Sequence, residues 1–359
     1  MLWCFVSSMT GSHAERTSTL PHWACAQGVP TVRGVLRSTA DDFVVDEDLG
    51  HAPDGCGDHV LLQVRKRDTN TEWLARELAA FAGIKPAEVG FAGLKDRHAV
   101  TTQWFSLHLP GTEPDWSRFE CAGVQILEMQ RHRRKLQRGD LRGNHFRLVV
   151  RQLKGDLAGL EARLQRVREQ GVPNYFGAQR FGIDGGNLAA AEALLAGRRR
   201  EPDRHKRGLY ISAARSLLFN AVLSARVAAG TWQTPLAGEV VQVGETQSLV
   251  TCDAPTPAIV ERVAAGELHL TGPLWGRGQS LSAGAVRELE QAVLDEYALW
   301  CRGLEAAGLQ QERRALCLRP QALEWALDDM QGTLTLTFQL PAGAYATTVL
   351  REVVANTES

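Results

Sequence analysis

The stretch TLTLTFQL, Thr333 to Leu340, constrains the fold more than any other part of the chain. Side chains on a strand alternate between faces, so Leu334, Leu336, Phe338 and Leu340 share one side. Thr333, Thr335, Thr337 and Gln339 share the other. Alternation this clean marks an antiparallel sheet with one covered face, because strands of a parallel sheet are apolar on both. HFRLVVR (His145 to Arg151) repeats the pattern with Phe146, Leu148 and Val150, and Phe105, Leu107 and Leu109 do so against Ser106 and His108. DFVVDE (Asp42 to Glu47) and HVLLQVRK (His59 to Lys66) are further β-rich runs bounded by Gly, Pro and Asp.

Helices are interspersed with these strands. Asn70 or Thr71 can cap one whose Leu74, Leu78 and Phe81 form a stripe, with Gly83 as its stop and Pro86 just beyond. Asp156 caps a second, striped by Leu157, Leu160, Leu164 and Val167 and stopped by Gly171. From about residue 171 to 318 the texture becomes richer in Ala, with helix-like segments near Asn187 to Leu195 and Ser212 to Ala229. After Pro341 and Gly343, AYATTVLREVV closes the chain as a helix. The expectation is an α+β domain over 31–170 and 319–359, interrupted by an inserted domain over 171–318. Residues 1–30 read as a loose N-terminal extension, and 359 residues suffice for two cores.

The net charge of −1 hides local clusters. Gln130 to Arg147 holds seven Lys/Arg against one Asp, and Arg198 to Arg207 holds six against two acids. Asp41 to His59 holds seven acids and no Lys or Arg. Such clusters suit a polyanion, although each is also what a solvated loop looks like. The seven cysteines are scattered and never form CxxC, which argues against a disulfide framework or zinc ribbon and for a reducing cytoplasm. His51, Asp54, Cys56, Asp58 and His59 lack a standard metal spacing and read as a solvated acidic turn. No run of about 18 apolar residues is present, so no membrane span is expected. GxxxxGK[ST], GxGxxG and GxSxG are all missing, which removes the commonest nucleotide and esterase chemistries.

Three stretches could carry chemistry. In GFAGLKDRHAVTTQW (Gly90 to Trp104), Asp96 stands between Lys95 and Arg97 on a turn. Flanking cations favour its ionised form, which suits a nucleophile or a stabiliser of positive charge at a sugar carbon; a turn cap explains it as simply. In LRGNHF, Asn144 could read a base edge and Phe146 could stack on a base, or both could belong to a turn and the core beyond it. In VPNYFGAQRFG, Tyr175, Phe176, Gln179, Arg180 and Phe181 alternate with glycines as a stacking surface or an interdomain hinge.

These residues, together with KLQRGDLRGNHF, SAARSLLFN (Ser212 to Asn220) and LPAGAYATTVLRE (Leu340 to Glu352), resemble in order the motifs of the bacterial tRNA pseudouridine synthase D (TruD) family. The likeness runs from about Arg33 to Glu352. It implies a pseudouridine synthase fold, with a curved mixed, largely antiparallel sheet interrupted by an inserted α/β domain. It also implies isomerisation of uridine to pseudouridine at position 13 in the D arm of tRNA, with no cofactor or metal, by a cytoplasmic protein expected to be a monomer. The family's catalytic aspartate falls on Asp96 and its base-binding positions on Phe43, Asn144 and Tyr345, with Phe146 adjoining. Some relatives carry Phe at the Tyr345 position, and many place a Lys where this chain has Arg37. Lys95 and Arg97 would keep Asp96 ionised or grip a phosphate. A non-catalytic RNA-binding protein on the same scaffold and a nucleoside hydrolase are the competing readings.

Overall fold

The computed structural model describes residues 20–244 and 248–356. Its first strands are β1 (Arg33–Leu36), β2 (Phe43–Asp48) and β3 (His59–Arg67). Helix α1 (Thr71–Ala82) starts where the Asn70 side chain accepts from the N–H groups of Glu72 and Trp73. It ends at Gly83, whose φ of 69° is left-handed. Next come β4 (Val89–Phe91), β5 (Val100–His108), β6 (Val124–His132) and β7 (Gly143–Lys154). Helix α2 (Leu157–Gln170) is capped by Asp156, stopped at Gly171 and buries Leu160, Leu164 and Val167.

Beyond α2 the chain leaves this layer. After the short β8 (Val172–Pro173) it forms α3 (Gly186–Leu195), α4 (Arg204–Ala228), β9 (Glu239–Val243), β10 (Leu249–Cys252), α5 (Pro257–Ala265) and β11 (Leu268–Leu274). It continues through α6 (Gly284–Asp295), α7 (Ala298–Ala306), β12 (Glu312–Ala315) and β13 (Cys317–Leu318). Strands β10, β9, β11 and β12, in that order, make an antiparallel sheet with its own apolar core. Helix α4, 25 residues long with an 18-residue window of mean hydropathy 1.2, is long and apolar enough to cross a bilayer by length and composition alone. Its apolar residues are instead packed inside this unit, where Leu218, Phe219, Val222 and Leu223 are fully buried.

The chain then returns with β14 (Gln321–Asp328), β15 (Thr333–Pro341), α8 (Ala346–Val353) and β16 (Ala355–Asn356). The large sheet has the order β14-β15-β7-β2-β5-β3-β6, with β1, β4 and β16 attached beside it. It is mixed and largely antiparallel; β2 runs parallel to β5 and β1 parallel to β16. The apolar side of β15 is buried against the core that α2 and α8 cover, as its alternation requires.

Two expectations change. Strand β5 does not have one wet face: Val100 to Leu107 are all buried. Phe105 and Leu107 pack under α1, while Trp104 joins Leu49, Leu61 and Leu136 on the far side, so a folded-over segment covers the second face. Residues 20–30, read as loose, are held in place. Trp23 stacks on Tyr175 at 6.1 Å, Ala26 N–H donates to Glu352 at 2.9 Å, and Arg163 donates to the carbonyls of Gln27 and Gly28. Residues 1–19 of that extension lie outside the described residues.

Candidate active site

Asp96 sits in the loop from β4 to β5, and a third of its side chain is open to solvent. Its Oδ2 is 3.4 Å from Nη2 of Arg37. Arg37 directly follows β1 and holds a φ of 62°, an uncommon conformation for a residue with a side chain. Its guanidinium lies over the ring of Phe43, with Cζ 4.2 Å from the centroid. Phe43 opens β2 and is 2% exposed, so Arg37 covers it, and a base that stacked on this face would have to displace the guanidinium.

The Asp96 loop is fastened from beneath. Lys66, buried at the end of β3, donates to the carbonyls of Thr69 (2.7 Å) and Asp96 (3.3 Å). Burial pushes the Lys66 ammonium down to about 8; the nearby Lys95 charge acts in the same direction and Asp96 opposes it. Lys95 N–H donates to Thr71 Oγ1, whose hydroxyl donates to Gln103, whose amide donates to the Gly93 carbonyl. Backbone fixed at both ends of the turn leaves Asp96 little freedom.

The cation facing Asp96 is therefore Arg37, not its chain neighbours. Lys95 turns into the protein, where its Nζ pairs with Glu47 Oε2 at 2.7 Å and donates to Asn144 Oδ1. Arg97 is exposed and lies in no ion pair among the described residues. The register of β2 on β7 sets Glu47 opposite Asn144, so Lys95 meets both at once. Glu47 also accepts from the Trp104 N–H at 3.1 Å. Beside Asn144, Gly143 lies so close to β15 that a Cβ would come within 2.3 Å of the Leu340 carbonyl. Phe146, expected near a substrate, is 9% exposed and packed between Phe43 (6.4 Å, edge-on) and Phe338 (5.4 Å, stacked). It is a core residue that backs Phe43.

Tyr345 belongs to a neighbouring cluster rather than to the Asp96 contacts. Its hydroxyl accepts from Arg180 Nε at 2.8 Å, and its ring meets Phe176 edge-on at 6.1 Å. Within VPNYFGAQRFG only part of the expected stacking surface is available. Tyr175 and Phe181 are each 1% exposed and belong to the core, whereas Phe176 is half-buried.

Part of the expected charge polarity is cancelled by ion pairs within the fold. Asp48 pairs with Arg142, Asp42 with Arg151 at 2.7 Å and Asp41 with Arg67, so the acidic segment lies against basic side chains. Arg131, Arg134 and Arg138 pair with Glu113, Asp140 and Glu72. These are mostly exposed pairs, weakened by solvent screening, and an incoming phosphate can compete for them.

Glu47 and Lys66 are missing from the sequence reading although a signal exists. Phe43, Val45 and Glu47 share the buried face of β2, and Val60, Leu62, Val64 and Lys66 share that of β3. A charged residue continuing an apolar alternation is one the fold must bury with a partner.

The model of the family described as tRNA pseudouridine synthase D (TruD) matches residues 24–202 and 200–353. A relative named tRNA pseudouridine synthase D from Aeromonas hydrophila is 52% identical, over 95% of this chain and 96% of its own. One of the same name from Hydrogenovibrio crunogenus is 47% identical, over 93% and 96%. A solved structure from Methanosarcina mazei, titled a putative tRNA pseudouridine synthase D, superimposes with a TM-score of 0.71 at 22% identity. It covers 97% of this chain and 99% of that one.

Proposed function

The chain belongs to the tRNA pseudouridine synthase D family and is an RNA pseudouridine synthase, and we propose that it acts at position 13 in the D arm with Asp96 as the catalytic carboxylate. The observation that carries this reading is the placement of Asp96: partly open to solvent, fixed through its backbone, and facing the Arg37 guanidinium at 3.4 Å.

The reaction exchanges one glycosidic bond for another. The bond from uracil N1 to ribose C1′ breaks, the uracil turns while held, and C5 bonds to C1′; the C5 proton is then lost and N1 gains one. Because atoms are only rearranged, with no net oxidation, no cofactor or metal is called for. A carboxylate at C1′ serves either route. It attacks that carbon and holds it covalently, or it takes a ribose proton while the base is detached. Arg37 balances the negative charge of Asp96 before the base arrives. The target must leave the RNA stack, and an aromatic face such as Tyr345 offsets about 1 to 3 kcal/mol of the lost stacking. Asn144, held by Lys95, has its amide N–H left to meet a uracil edge.

The test is Asp96→Asn on total tRNA, read by tritium release from 5-labelled uridine and by mass-spectrometric mapping. The expected result is a folded protein that binds tRNA and forms no pseudouridine. Near-normal turnover would remove Asp96 from its role, and modification mapped to a different arm would remove the position.

A further inference from the structure

Two guanidiniums stand next to Tyr345 without a counter-charge among the described residues. Arg180 donates to the hydroxyls of Tyr345 (2.8 Å) and Ser212 (2.9 Å). Arg314, on β12, donates to Asn174 Oδ1 (2.6 Å) and to the carbonyls of Asn174 (3.4 Å) and Gly343 (3.2 Å). Every one of these partners is neutral. Both cations gather on Phe176, with Cζ 5.5 Å and 4.3 Å from its centroid. Arg314 also approaches Phe219 at 5.7 Å, and Arg180 approaches Tyr345 at 5.9 Å.

Nearby arginines are treated differently. Arg313, one residue earlier, pairs with Glu290 in a buried contact, and Arg226 pairs with Glu239 at 2.9 Å. Among the described residues neither Arg180 nor Arg314 has an ion pair. Two like charges held side by side on aromatic faces repel, and partial burial raises the cost. Burial pushes the Arg314 guanidinium down to about 10; Tyr345 opposes that, while the Arg180 charge adds to it. Arg180 Nη2 and Arg314 Nη1 take no part in the hydrogen bonds just described, and a phosphate oxygen pair suits guanidinium donors of this kind.

We propose that Arg180 and Arg314 form a phosphodiester-binding site for the RNA substrate, at the seam where the inserted unit meets Tyr345. The assignment rests on the RNA reading above. The seam location follows from the residues: Phe176 and Arg180 lie just beyond β8, Arg314 lies on β12, and Tyr345 is the cap residue of α8. One phosphate there ties both parts of the chain to the backbone next to the base that Tyr345 stacks. A bound phosphate also fixes Arg180, which in turn fixes the Tyr345 ring through its hydroxyl.

The experiment measures tRNA binding against salt concentration for wild type, Arg314→Gln, Arg314→Lys and Arg180→Gln, each first checked by circular dichroism and melting. Each phosphate neutralised contributes roughly 0.7 to 0.9 to the slope of log K against log salt. The slope should become shallower by about that amount in R314Q and R180Q and stay near wild type in R314K. An unchanged slope in folded R314Q and R180Q overturns the proposal. If R314Q does not fold, R180Q decides by the same criterion. A second arm uses inorganic phosphate at constant ionic strength. Phosphate should raise the melting temperature of wild type more than that of R180Q, and equal shifts overturn the anion site even if wild type proves unable to bind tRNA. That last result would separately sink the RNA reading.

Discussion

Lys95 Nζ stands 2.7 Å from Glu47 Oε2, with side-chain exposures of 6% and 0%, and this buried pair rather than Asp96 is what the lysine of the LKDR turn serves. The pair fixes the loop entering Asp96 and the Asn144 side chain together, since Lys95 pairs with Glu47 and donates to Asn144. Removing one member leaves a desolvated charge in the core. Glu47→Ala is therefore expected to cost about 3 to 5 kcal/mol in urea unfolding. The double variant Glu47→Gln with Lys95→Met should be more stable than the sum of its single variants implies, because it leaves neither charge unpaired. Strict additivity would show that the pair is not coupled.

Arg37 separates stability from activity. Its pair with Asp96 is a third exposed on each side, so screening limits its contribution to at most about 1 kcal/mol. Its φ of 62° meanwhile costs on the order of 1 kcal/mol, which glycine would not incur. Arg37→Gly should thus unfold within about 1 kcal/mol of wild type while losing more than about ten-fold in pseudouridine formation. Arg37→Lys keeps the charge but not the planar cover over Phe43 and should fall between the two. Parallel losses of stability and activity would argue that Arg37 is merely structural.

Lys66 gives stability a distinctive pH dependence. Its folded value, about 8, lies below its unfolded value of 10.5, so between these the unfolded chain binds more protons. The burial penalty is fully present below pH 8 and is relieved as pH rises toward 10.5. Unfolding free energies of wild type, taken relative to Lys66→Met, should therefore rise across that window by on the order of 3 kcal/mol. Denaturant melts at pH 7.5, 9 and 10.5 suffice to measure it, and a flat difference would mean that the ammonium is not strained by burial.

Much of this architecture is legible in the residues. Asn70 with Gly83, and Asp156 with Gly171, bracket α1 and α2 because capping and left-handed stops are local chemistry. The face of β15 follows from its alternation. What escapes is set by distant contacts. Neighbours in sequence made Lys95 look like a partner for Asp96, whereas the register of β2 on β7 puts Glu47 and Asn144 within its reach. Arg37 meets Asp96 only because β1 ends beside that loop. The second covered face of β5 depends on Leu49 and Leu136, each more than thirty residues from Trp104 in the chain, and no local period encodes it. The resemblance located Asp96; the packing identifies what holds it.

Tyr345 separates stacking from hydrogen bonding. Its hydroxyl accepts from Arg180, while its ring meets Phe176 edge-on. Tyr345→Phe removes one hydrogen bond to a charged donor, worth roughly 1.5 to 3 kcal/mol at most, and leaves the ring; Ser212 still holds the other arm of Arg180. Activity should fall by a few-fold and chiefly through KM. Tyr345→Ala also removes the stacking face, worth about 1 to 3 kcal/mol per base, so kcat/KM should fall roughly ten- to a hundred-fold further. Steady-state kinetics on tRNA transcripts distinguish the two. If Tyr345→Phe proves as damaging as Tyr345→Ala, the hydroxyl and its grip on Arg180 matter more than the ring, and the aromatic face is not where the base rests.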